Sequence, residues 1–122
     1  MGNIIIGKVK DQQVNWRGWL VGQFLPSGPF KNTNIEIYYK KINAGEFVDK
    51  LHLHPIGDEY LIVVSGKINI RIGDDVVELN EGDYVKIPSN TPDKIVEIVE
   101  DTVLFGVRYP SVPDNKVFLE EK

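Results

Sequence analysis

The chain has 122 residues, 42% hydrophobic and 26% charged, with 18 acidic against 14 basic side chains, a formal net charge of -4 and no cysteine. A single domain of this length buries roughly two thirds of the surface its unfolded chain exposes, so the fold needs no disulfide or structural zinc. The lack of cysteine excludes disulfide frameworks, thiolate metal sites, thiol nucleophiles and cysteine-held iron–sulfur clusters, and the acidic balance argues against a nucleic-acid partner, for which the neighbours Lys40 and Lys41 are too few.

In chain order, Ile4-Ile5-Ile6 is an apolar run too short for a signal-peptide core or a membrane span, so a cytoplasmic protein without membrane contact is expected. The Met1-Gly2 start is followed by Ile6 where a myristoylation motif requires Ser or Thr. Residues 1–33 are expected to form an N-terminal extension packing on the rest. Within it, Leu25-Pro26-Ser27-Gly28-Pro29 breaks regular structure, and Trp16, Arg17 and Trp19 read as packing for a crossing segment or as a stacking lid over a substrate.

From Asn34 onward the chain alternates with period two in short stretches separated by turn residues. The expected strands are Asn34–Ile42, Phe47–His54, Glu59–Ser65, Lys67–Ile72, Val76–Leu79, Tyr84–Ile87, Lys94–Val99 and Thr102–Tyr109. Gly73-Asp74-Asp75 makes the turn of a hairpin. Tyr38 and Tyr39 leave opposite faces of one strand, so only one of them lines the interior. About eight strands, with no helix of normal length, no repeat and no linker, predict one all-β domain over 34–122. Such a set closes into a small barrel or jelly roll that holds one small ligand.

The two histidines of the chain, His52 and His54, stand two apart in a predicted strand, so both leave one face while Leu51 and Leu53 leave the other. Glu59 begins the next strand after the turn Pro55-Ile56-Gly57 and can fold back over the imidazoles. Two imidazoles and one carboxylate suit a divalent ion such as Fe, Mn, Ni or Zn and leave positions open for substrate. Asp58 reads as a turn residue. The outward leucines need cover from another strand or from a second subunit, which makes a homodimer the expected assembly.

Gly45, His52-Leu53-His54, Glu59 and Gly66 resemble the first motif of the cupin superfamily, and Gly82-Asp83-Tyr84-Val85-Lys86-Ile87-Pro88 resembles its second. The resemblance runs from about Ile35 to Tyr109 and implies a cupin-type β-barrel with a metal inside. In the second motif a glycine and then a histidine ligand normally follow the proline. Here Asn90 and Asp93 take those places. Asn tolerates a left-handed backbone, whereas Asp93 changes the chemistry: as a ligand it gives two imidazoles and two carboxylates, and otherwise it is a turn residue or a spare base. The implied function is a divalent-metal site, on His52, His54, Glu59 and Asp93, that binds or acts on a sugar, organic acid or aromatic molecule. An isomerase or lyase is favoured, with an Fe(II) dioxygenase and a non-enzymatic ligand-binding barrel as alternatives.

Overall fold

The structure is a computed structural model that describes residues 2–15, 17–46 and 49–121. It contains a short helix α1 (Val9–Asn15) and ten strands: β1 (Trp19–Val21), β2 (Glu36–Ile42), β3 (His52–Leu53), β4 (Asp58–Ser65), β5 (Lys67–Ile72), β6 (Asp75–Asn80), β7 (Tyr84–Ile87), β8 (Asp93–Ile98), β9 (Thr102–Tyr109) and β10 (Val117–Phe118). They form two five-stranded sheets in the orders β1-β2-β9-β4-β7 and β10-β3-β8-β5-β6, with antiparallel pairing throughout. From β2 onward the chain passes back and forth between the sheets, as a jelly roll requires. Among the described residues no helix is long and apolar enough to cross a membrane.

Side-chain parity decides which residues fill the space between the sheets. Along β5, Ile68 and Ile70 are buried while Lys67, Asn69 and Arg71 face outward. Leu61 and Val63 of β4 and Leu104 of β9 point inward to meet them. Tyr38, not Tyr39, is the inward tyrosine of β2, and its ring lies over Gly106, the residue opposite it on β9. A Cβ at Gly106 would fall on that ring, so the close approach requires glycine.

Three boundaries differ from the sequence expectation. The strand expected over Phe47–His54 is confined to His52–Leu53, and its start, Phe47 and Val48, lies outside the described residues. Just before β3, Asp49 substitutes for a strand ladder: its carboxylate accepts from Lys50 N at 2.9 Å and from Ile95 N at 3.0 Å. β2 starts at Glu36 and not at Asn34. β8 starts at Asp93, one residue before the expected Lys94, so Asp93 is a strand residue and not a turn. The first 33 residues contribute β1 as an edge strand on β2. Trp16 lies outside the described residues.

The leucines beside the histidines are covered by their own chain. β10 pairs with β3, Leu119 N bonds Leu51 O at 3.0 Å, Leu51 is buried and Leu53 half-buried. They therefore demand no second subunit. Exposed apolar side chains occur on both sheets, among them Tyr60, Ile62 and Val64 of β4 and Tyr84 of β7 on one, and Val76 of β6, Val96 of β8 and Phe118 of β10 on the other.

The β5–β6 hairpin tests this register. Ile70→Ala opens a cavity between the sheets and is expected to cost about 2–5 kcal/mol, whereas Val76→Ala, at an exposed position, should stay within about 0.5 kcal/mol. Urea unfolding of the two variants checks the difference.

Candidate functional site

His52 and His54 are both buried and face the space between the sheets, their rings 5.2 Å apart. Each ring nitrogen Nδ1 meets a backbone carbonyl, Lys50 O at 2.7 Å for His52 and Asn115 O at 2.6 Å for His54. A carbonyl only accepts, so Nδ1 carries a proton in both rings; in His54, which is neutral, this leaves the lone pair on Nε2, and Arg108 Nη1 stands 2.8 Å from its Nδ1 as well. The loop after His54 is held in register by Asn115, whose side chain accepts from Ile56 N at 2.9 Å and donates to Ile56 O at 2.7 Å. Asn90 takes the left-handed backbone expected of it, with φ 63°, and donates from its N–H to His54 O at 2.8 Å.

The carboxylates arrive by strand register. Asp93 is the cross-strand partner of His52, and its Oδ1 lies 3.4 Å from His52 Nε2. Glu59 opens β4, and its Oε1 lies 3.7 Å from His54 Nε2. Tyr38 donates its hydroxyl to Glu59 Oε2 at 2.7 Å, which fixes that carboxylate. Asp58 faces away from this group. It accepts from Ser89 N at 2.9 Å and from the Tyr109 hydroxyl at 3.2 Å, contacts that hold its carboxyl below the ordinary range.

Three cations, Arg108, Lys40 and Lys116, complete the lining. Arg108 sits on β9 directly between Glu36 of β2 and Glu59 of β4, with Nε 3.2 Å from Glu36 Oε2 and 3.7 Å from Glu59 Oε1. Its Nη1 lies 2.6 Å from His54 Nε2. Glu36 is itself held by the Ser111 hydroxyl at 3.0 Å. Lys40 of β2 projects inward, its Nζ 4.9 Å from the Trp19 ring centroid and 5.0 Å from that of Tyr38. These groups line one cavity of about 120 Å³, together with Asp49, Lys116 and apolar side chains such as Ile70 and Ile95.

Burial sets the electrostatics. It pushes His54 down to about 4, with Arg108 adding to the shift, so this imidazole is neutral at physiological pH. Burial, and after it the negative charge of Glu59, pushes Asp93 up to about 7. Tyr38 is raised well above its usual value by burial and by Glu59, and Lys40 is lowered to about 8 by burial and by Arg108.

All four expected site residues, His52, His54, Glu59 and Asp93, therefore face one cavity, as two imidazole–carboxylate pairs with the Arg108 guanidinium against the second pair. Among the described residues no three His, Asp or Glu side chains stand close enough together to hold a metal ion as they lie. The donor chemistry fits a divalent cation all the same: each carboxylate faces an imidazole Nε2, and Asp93 Oδ2 is buried with no hydrogen-bond partner among the described residues. Trp19 takes part as cavity lining and by edge-on packing against Tyr38. Sequence reasoning missed Arg108, Lys40 and Glu36. Parity would have found them, since Arg108 shares a face with Leu104 and Gly106, and Lys40 and Glu36 share one with Tyr38.

The model of the cupin domain family matches residues 38–101, more than half of the chain, so the chain belongs to the cupin family. Among solved structures it is similar to the oxalate decarboxylase of Bacillus subtilis, with 20% identity and a TM-score of 0.61 over 72% of this chain and 24% of that one. It is also similar to a cupin protein from Bacteroides fragilis, with 24% identity and a TM-score of 0.58 over 74% of this chain and 73% of that one. A third likeness is to the DMSP lyase DddQ of Ruegeria pomeroyi, with 21% identity and a TM-score of 0.67 over 85% of this chain and 52% of that one. The chain thus spans about a quarter of the decarboxylase and about half of the lyase. No match was found among curated proteins.

Lys40 makes the electrostatics testable. Unfolded, it releases its proton near 10.5, and folded near 8, so between these values the unfolded state binds more protons and stability rises with pH through this group. Arg108, Glu59, Lys116 and Asp49 face it. Lys40→Met should lack this component, so the stability of the wild type relative to the variant should increase from about pH 8 to about pH 10.5. Parallel urea titrations across that range measure it.

Proposed function

We propose that His52, His54, Glu59 and Asp93 hold a divalent metal ion, and that the loaded domain acts on a small organic molecule as an isomerase or lyase. The observation that carries this reading is the pair of imidazole rings, each donating Nδ1–H to a backbone carbonyl and each turning Nε2 toward a carboxylate. A divalent ion between an Nε2 and its carboxylate would take up the donor capacity of both. The Arg108 guanidinium already lies against His54 Nε2, whereas among the described residues His52 Nε2 faces the Asp93 carboxyl without a cation in hydrogen-bond contact.

When bound, the ion would polarise a carbonyl or carboxylate group of the substrate. The other tasks belong to the chain. Tyr38 orients Glu59, Asn115 and Lys50 orient the imidazoles, and Trp19 closes one wall of the cavity. If Asp93 stays off the ion, its Oδ2, without a hydrogen-bond partner among the described residues, would serve as the base that accepts a proton from the substrate. Two carboxylates cancel the charge of a divalent ion and give a hard donor set, which suits a redox-inert metal and proton-transfer chemistry better than dioxygen activation. The likeness to a decarboxylase and to a lyase supports the same choice.

Elemental mass spectrometry on protein purified without a tag or chelator tests the reading. Near-stoichiometric divalent metal is expected in the wild type, its loss in His52→Ala and weakened retention in Asp93→Ala. Absence of metal above background after reconstitution would contradict the assignment and leave a metal-free ligand-binding barrel.

A further inference from the structure

Lys40 stands apart from the other charged groups of the cavity. It occupies an inward position of β2, in line with Glu36 and Tyr38, where a folded chain places a lysine only at a cost. Its stem is pinned from outside: Gly18 has φ +91°, and a Cβ there would lie 2.8 Å from Lys40 Cγ and 2.6 Å from Tyr39 O. Its ammonium is flanked by the Trp19 and Tyr38 rings. Among the described residues no carboxylate lies within 4.0 Å of it.

The carboxylates of the cavity are committed elsewhere. Glu59 is taken by Tyr38 and Arg108 and Asp49 by two backbone N–H groups, while Asp93 stands against His52; Glu36, beside the cavity, is taken by Ser111 and Arg108. Arg108 and Lys116 also line the cavity, so the field around Lys40 is made more positive from two further elements. An ammonium held rigidly on aromatic rings without a counter-ion is an anion site waiting for its partner.

We propose that Lys40 is the anion anchor of the cavity and that the ligand is a small organic acid whose carboxylate pairs with Lys40 Nζ. The proposal deepens the reading above by naming the substrate class, and it rests on the same cavity. The cavity, of about 120 Å³, is sized for a small molecule. The acid group on Lys40 leaves the remainder of the molecule to face the histidine and carboxylate side.

The test titrates malonate, and malonamide as its uncharged counterpart, into wild type, Lys40→Met and Lys40→Arg by calorimetry, before and after removal of metal with a chelator. The expected result is that malonate binds and malonamide does not, that Lys40→Met weakens malonate by about thirtyfold or more, the effect of removing one partner of a desolvated charge pair, and that Lys40→Arg recovers part of the loss. Lys40→Met should melt no lower than wild type, because it removes an uncompensated charge. If its melting temperature falls, recovery of malonate binding in Lys40→Arg still supports the proposal and lack of recovery overturns it. Equal binding of malonate and malonamide, no malonate binding by wild type, or unchanged binding in Lys40→Met overturns it outright. Malonate binding that depends on Lys40 and persists after chelation keeps this proposal even where the metal assignment has failed, so the two fail separately.

Discussion

The site depends on two hydrogen bonds from imidazole Nδ1–H groups to backbone carbonyls, one at Lys50 and one at Asn115. They keep a proton on Nδ1 of each ring and set where Nε2 points. With the rings so fixed, the carboxylates of Asp93 and Glu59 opposite Nε2 define two imidazole–carboxylate pairs in a buried space. The rest of the local structure serves this arrangement. Asp49 ties the chain before β3 to β8, Asn90 clamps the carbonyl of His54 in a left-handed turn, and Asn115 spans the loop that follows.

The second constraint is the inward-facing charge row Glu36–Arg108–Glu59 across three neighbouring strands. Cross-strand opposite charges stabilise one another, and the low dielectric between the sheets strengthens the pairing. Its cost is desolvation of three ions. Ser111 and Tyr38 offset part of that cost by donating to the two glutamates. Gly106 makes this possible by leaving room for the Tyr38 ring. The same row brings a guanidinium against His54, so the cavity contains a strong cation and acidic ligands side by side. On the proposed reading the two roles are separated by location: donors for an ion around His52, His54, Glu59 and Asp93, and recognition of an anion at Lys40.

Much of this was legible in the sequence, because its two strongest signals are local. Period-two alternation in β5 and β9 identifies strands, and the spacing of His52 and His54 places both imidazoles on one face, with Glu59 at the start of the next strand. Asn90 carried its own conformational signature. What remained hidden is set by pairing between distant strands. Asp93 reads either as a ligand or as a turn residue after Pro92, and only the register of β8 against β3 brings it beside His52. Arg108 reads as one more charge near a strand end until β2 and β4 flank it with glutamates. The leucines beside the histidines looked exposed because the covering strand, β10, is two residues long and lies in a tail without period-two signal.

The most direct measurement of the central claim is ¹⁵N-edited NMR of the two imidazoles in chelator-treated protein at neutral pH, followed by titration with Zn²⁺. The expected result is a neutral His54 and a proton on Nδ1 of both rings, with zinc shifting the Nε2 resonance of each while Nδ1 keeps its proton. An Nδ1 without its proton in either ring, an imidazolium at His54, or Nε2 resonances indifferent to zinc would contradict it.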